Sequence, residues 1–199
     1  MTIDIELIKR LKDLTGVGLT DAKKALQDSN GDFDKALAEM RKKGLTKAEK
    51  RSERETRSGL VGNYNHDGRI GVIVEVNCET DFVAKNDIFV NLVKDLAMHI
   101  AASNPDYLDE NQIPKEVLDN ISKEYREKAR LEKKPDNMIE KIVEGQIKKF
   151  TEEHCLVSQP FIKNPDVTIK DLLNDHISRL GENIVIRRFA RIALGEINN

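Results

Sequence analysis

Apolar residues recur at helical spacing at the start of the chain and shift to strand-like runs further on, so the sequence divides before any chemistry is considered. Ile5, Leu7, Ile8, Leu11 and Leu14 mark a first amphipathic helix. Thr15-Gly16-Val17-Gly18 then interrupts it, since two glycines permit a tight turn. Thr20 is expected to cap a second helix, carrying Ala22, Ala25 and Leu26 inward and stopping at Asn30-Gly31. Asp32 caps a third helix, with Phe33, Ala36, Leu37 and Met40 on its inner face, ended by Gly44. Residues 46–57 are nearly all polar and of mixed sign, with no apolar face to bury, and read as an exposed linker. The expected division is therefore a three-helix unit over 1–45, a charged linker over 46–58 and a larger body over 59–199.

In the body, Leu60 to Tyr64 and Arg69 to Val76 flank Asn65-His66-Asp67-Gly68. An Asp-Gly turn between runs rich in β-branched residues predicts a hairpin. Ile88, Phe89, Leu92, Val93, Leu96, Ala97 and Ile100 form one continuous helical stripe. Pro114 opens a helix carrying Val117, Leu118, Ile121 and Tyr125, Lys133-Lys134-Pro135 turns, and Met138 to Phe150 supply a second stripe. Both stripes sit among many charges, so residues 114–152 are expected to project as a short antiparallel coiled coil. A last helix runs from Thr168 to Leu180 and ends at Gly181. Ile184 to Leu194 reads as a strand with Ile184, Ile186, Ala190, Ile192 and Leu194 on one face, which must pair with the hairpin. The fold class is α+β: a small antiparallel sheet flanked by helices, preceded by a helical bundle.

Composition narrows the function. Among 199 residues, 33 Lys and Arg oppose 35 Asp and Glu, for a formal charge of −2. Nucleic-acid binders usually carry a basic surplus, because phosphate neutralisation supplies their affinity. No apolar run approaches a membrane span, and the N-terminus lacks the regions of a signal peptide. The two cysteines, Cys78 and Cys155, are far apart and build no disulfide framework. These features predict a reduced, soluble, cytoplasmic protein with no membrane association. No metal-ligand spacing and no phosphate-binding glycine loop occurs, so no cofactor, no metal and no catalytic residue is expected. His154-Cys155 is adjacent in sequence, which points the two side chains apart, and no partner acid is identifiable. Arg187, Phe189 and Arg191 share a strand face that a single-strand RNA binder could use; a solvated face of paired arginines is the plainer account.

The segment from Asn77 to Asn86, Asn-Cys-Glu-Thr-Asp-Phe-Val-Ala-Lys-Asn, fits none of these elements. On composition it reads two ways. Thr80 or Asp81 caps a helical turn and Phe82 packs inward, or Asp81 and Phe82 are presented together as an anchor for a partner. The segment closely resembles the signature of translation elongation factor Ts. Thr15 to Gly18 with Ala22-Lys23-Lys24-Ala25-Leu26 and Asn30-Gly31-Asp32 resembles that family's ubiquitin-associated-like domain. Met98 to Ala102, Gln159-Pro160-Phe161 and Gly181 to Ile184 match in order along nearly the whole chain.

The resemblance implies a guanine-nucleotide exchange factor, not an enzyme. It would bind elongation factor Tu with GDP and promote GDP release, allowing GTP to enter. Thr80, Asp81, Phe82 and Val83 would displace groups that support the partner's Mg²⁺. Phe82 would be the wedge, and Asp81 would accept hydrogen bonds. Gly16, Val17, Gly18, Leu19, Lys23, Met98 and His99 would make weaker, secondary contacts. Short members look like homodimers, and the C-terminal strand is a natural element to pack across a two-fold axis. No direct nucleic-acid contact is implied. The alternatives are an RNA-binding protein, or a ubiquitin-associated-like scaffold without exchange activity.

Overall fold

The computed structural model describes residues 4–15 and 17–196. The element order is α1 (Ile5–Thr15), α2 (Leu19–Asp28), α3 (Phe33–Glu49), β1 (Ser58–His66), β2 (Ile70–Cys78), α4 (Asp81–Ala84), α5 (Asp87–Ser103), α6 (Lys115–Leu131), α7 (Asp136–His154), β3 (Pro160–Phe161), β4 (Asn164–Thr168), α8 (Ile169–Leu180) and β5 (Ile184–Ala193). Helices and a small antiparallel sheet make the α+β class expected from the pattern. The sheet order is β1-β2-β5. Two compact units arise: Met1–Gly62 with Val74–Asp95 and Asp171–Arg187, and Asn63–Ile73 with Leu96–Lys170 and Arg188–Asn199.

In the first unit, Ile8, Leu11, Ala22, Ala25, Leu26 and Ala36 bury together, with Leu7, Val17, Phe33, Leu37 and Met40 packed against them. Ile5 and Leu14 lie off that stripe and are exposed. Asn30 and Gly31 take positive φ of 54° and 85° and so end α2. The Asp32 carboxylate accepts the Lys35 amide at 3.0 Å, the expected cap of α3. Two expectations fail here. The N-cap of α2 is Gly18, with no side-chain bond, so Thr20 already lies inside the helix. Gly44 does not end α3, which continues to Glu49.

The reason lies beyond the bundle. Ala48 is buried, Arg51 donates to the Ile177 carbonyl at 3.2 Å, and Asn183 Nδ2 donates to the carbonyls of Ser52 and Arg54. Residues 51–54 are thus held by the Arg51 guanidinium and by the backbone carbonyls of Ser52 and Arg54, and side-chain polarity reports nothing of the carbonyl contacts.

In the second unit, Asp67 and Gly68 take φ of 51° and 69°, and Asn65 Oδ1 accepts the Gly68 amide at 2.8 Å. This is the hairpin turn that the Asp-Gly pair predicts. α6 and α7 form the expected helical pair, with Ala129, Ile139 and Val143 buried and Arg126 gripping both carboxylate oxygens of Glu140 at 3.0 and 2.9 Å. β3 and β4 form a second, two-stranded sheet, although the sequence pattern offers the 59–76 hairpin alone as a partner for β5. A strand of two residues has no periodicity to detect.

β5 also departs from its expected face. Ile184 and Ile186 are buried, but Arg187 and Arg188 are both exposed, and Phe189, Arg191 and Ala193 become the half-buried set. The two-residue alternation slips by one position, which turns Ile192 and Leu194 to solvent.

Gly59 on β1 has no room for a side chain. A Cβ there would lie 2.2 Å from the Val76 carbonyl oxygen, at a φ of +152° that L residues rarely adopt. Gly59→Ala is therefore expected to destabilise the protein by about 1–3 kcal/mol. Urea unfolding should show a lower midpoint at unchanged slope.

Candidate functional site

The segment from Asn77 to Asn86 leaves the end of β2 and enters α5 through the single turn of α4. Thr80 is the N-cap of that turn, with extended φ and ψ of −131° and 155° and a hydroxyl that accepts the Val83 amide. Asn86 caps the next helix in the same way, its Oδ1 accepting the Ile88 amide at 2.9 Å. Val83 and Ala84 are buried and anchor the turn. Phe82 is 82% exposed.

The plainer expectation for this segment holds only in part. Thr80 caps, as the plainer one required, but Phe82 does not pack inward. Burying a Phe contributes about 1.5–3 kcal/mol, and the fold leaves most of that unrealised. Asp81, beside it at the start of the turn, is also exposed.

The turn is held from the other end of the chain. Glu182 accepts the Thr80 amide at 3.0 Å and the Thr80 hydroxyl at 2.6 Å. The Asn183 amide donates to Glu79 Oε1 at 2.6 Å, and Arg54 pairs with the same oxygen at 3.4 Å. Sequence reasoning gave Glu79, Glu182 and Asn183 no role. They flank a helix stop and a strand end, and nothing in spacing indicates that the two meet.

Cys78 is buried, and burial together with the negative charge of Glu182 pushes its thiol up to about 11, so it stays protonated at neutral pH. Its Sγ lies 3.2 Å from the Thr80 carbonyl oxygen, to which the thiol donates. Among the described residues no group of three or more His, Cys, Asp and Glu is placed to hold a metal ion. His154 does have a partner acid, contrary to the sequence reading: its Nδ1 meets Asp106 Oδ2 at 2.5 Å. The neighbouring Cys155 is buried with its thiol pushed up to about 11 by burial and by Glu110, so no nucleophile joins that pair.

The secondary candidates scatter. Gly16 lies outside the described residues. Val17 packs half-buried on the bundle core, Gly18 starts α2, and Leu19 and Lys23 are exposed on that helix. Met98 is half-buried. His99 is fully buried and points inward. Its Nδ1 faces the Ile162 amide at 3.3 Å, and its Nε2 faces Gln159 Oε1 at 3.0 Å. The amide can only donate, so the neutral ring carries its proton on Nε2. Arg191, from the possible RNA-binding face, donates to the Ala101 carbonyl at 3.2 Å and to Glu196 at 2.6 Å, as the plainer account of those arginines requires.

Burial lowers the pKa of His99, and of His176 on α8. The unfolded value is about 6.5, so just below that pH the unfolded chain binds more protons and stability falls as pH falls. Chemical denaturation between pH 7 and 5 should show this loss. A His99→Gln variant, whatever its own cost, should show a shallower slope.

Comparison with known proteins supplies a family. The family model described as Elongation factor TS matches residues 19–196. Elongation factor Ts of Syntrophus aciditrophicus (strain SB) is 51% identical over 197 residues, covering 98% of each chain. That of Geobacter sulfurreducens is 52% identical over 197 residues, covering 98% of this chain and 91% of its own. The protein of the same name from Thermodesulfovibrio yellowstonii is 47% identical over 196 residues, covering 98% of each.

Proposed function

This chain belongs to the elongation factor Ts family, and from that membership we propose that it acts by binding elongation factor Tu with GDP and promoting exchange of GDP for GTP. The single observation that carries the placement of this activity is the exposure of Phe82 on a turn whose neighbours, Val83 and Ala84, are buried. An aromatic side chain held out of the core by an anchored backbone is the form of an interface hot spot.

An exchange factor performs no chemistry on the nucleotide. It binds the nucleotide-free GTPase better than the GDP-bound one, and linkage makes the two ligands weaken each other equally. A GTPase holds GDP with phosphate-cradling backbone groups and a Mg²⁺ ion. The Phe82 ring would enter between partner side chains and displace groups that support that ion. Asp81, exposed beside it, would accept hydrogen bonds from the partner. Thr80 and Val83 contribute by fixing the turn, through a cap and a buried anchor. Leu19 and Lys23, exposed on α2, would make secondary contacts, with Gly18 at the start of that helix. His99, turned inward, drops out of that set.

A homodimer is part of the same reading. Ile73 on β2, Ile192 on the neighbouring β5 and Leu194 just past the end of β5 are exposed, an apolar set suited to a second copy. A cytoplasmic location is part of the same proposal, since it is where a translation factor would meet its partner. Among the described residues no helix is long and apolar enough to cross a membrane.

Release of a fluorescent GDP from elongation factor Tu at fixed Mg²⁺ tests the exchange activity. The rate should rise with the concentration of this protein. In Phe82→Ala the limiting rate should fall by about tenfold or more, the scale of a hot-spot truncation. Its unfolding free energy should stay within about 0.5 kcal/mol of wild type, since the side chain is 82% exposed. Wild-type stimulation by this variant would remove Phe82 from the site. For the dimer, Ile192→Asp with Leu194→Asp should shift sedimentation to the monomer without unfolding the chain.

A further inference from the structure

A helix of one turn does not sustain itself, because its dihedrals are fixed before hydrogen bonding compensates. α4 spans only Asp81–Ala84, and its largest side chain, Phe82, is mostly exposed. Its shape needs outside support, and the contacts show where that comes from.

Glu182 holds the residue before the turn with both carboxylate oxygens, one on the Thr80 amide at 3.0 Å and one on its hydroxyl at 2.6 Å. A threonine hydroxyl has one hydrogen to donate. With that hydrogen committed to Glu182, the oxygen faces the Val83 amide at 3.4 Å with its lone pairs, which is the role a cap requires. The adjacent residues are fixed as well. The Cys78 thiol donates to the Thr80 carbonyl, and Glu79 accepts the Asn183 amide. Asn183 is itself buried, with its amide nitrogen on the carbonyls of Ser52 and Arg54 at 3.2 and 2.9 Å. Glu182 thus stands on a rigid base and reaches across to the cap.

We infer that Glu182 is a positioning residue for nucleotide exchange: by orienting the Thr80 hydroxyl and amide it holds the Asp81-Phe82 turn in its presenting shape before the partner arrives. This rests on the exchange reading above. Preorganisation acts on affinity, because the ordering cost is removed from the binding step. Once the GTPase is bound, its contacts impose the same shape, and the limiting rate is that of the wild type. A residue that merely kept the unit folded would instead lower the melting point and the active fraction together.

The experiment titrates GDP release from elongation factor Tu with the full chain as wild type, Glu182→Ala, Glu182→Gln and Phe82→Ala, alongside thermal melts and amide hydrogen exchange. Glu182→Ala, which removes both charge-assisted hydrogen bonds to Thr80, should raise the half-stimulating concentration by about tenfold or more, with the limiting rate unchanged. Glu182→Gln keeps an acceptor for the Thr80 amide but turns an NH₂ toward the hydroxyl, and should fall between. The Val83 amide should exchange faster in Glu182→Ala, while the Val74 amide in β2 keeps its protection. A wild-type titration by Glu182→Ala, or a lowered limiting rate together with a lowered melting point, would overturn the inference while leaving Phe82 in place. Should Phe82→Ala itself stimulate normally, the exchange reading fails separately. The Val83 amide then decides the clasp alone, and unchanged protection there overturns it.

Discussion

The clasp between the Gly181–Asn183 corner and the end of β2 is the constraint on which the remaining features of the site depend. It joins backbone amides to carboxylates across more than a hundred residues of sequence, with Thr80 on Glu182 and Asn183 on Glu79. Hydrogen bonds to a charged acceptor are the stronger kind, and here they replace the apolar packing that a one-turn helix cannot supply. Val83 and Ala84 fix the position of the turn, and the clasp fixes its direction. Phe82 is exposed because both are satisfied without it.

The same corner extends its hold to the chain before β1. Asn183 is buried, and a buried amide must be paired. Its donors go to the carbonyls of Ser52 and Arg54, and Arg51 adds a bond to the end of α8. The charged stretch after the helical bundle is held by these bonds, although its side chains stay mostly in solvent. One buried asparagine thus serves two segments, and a fault there would loosen both the approach to β1 and the turn that carries Phe82.

The polar groups that look reactive in the sequence are used for structure instead. Cys78 and Cys155 are buried thiols held protonated. His99 joins α5 to both ends of β3, through Gln159 before it and Ile162 after it. Such groups add specificity to a core otherwise made of aliphatic side chains, because each polar atom accepts one arrangement of neighbours.

The sequence by itself determined the local elements. Periodicity placed the bundle helices, the Asp-Gly pair placed the hairpin turn, two prolines placed the starts of α6 and α7, and Gly181 placed the end of α8. It also carried the family, through the run from Asn77 to Asn86, because that match needs no knowledge of contacts. What only the tertiary structure decided is whatever rests on backbone groups or on residues distant along the chain: the continuation of α3 past Gly44, the docking of residues 51–54, the slip in β5 that turns Ile192 outward, and the inward ring of His99. The pairing of Glu182 with Thr80 is of the same kind. Side-chain polarity predicts that a carboxylate will seek donors, but which donors it meets is set by how the chain closes on itself, and that closure has no local signal.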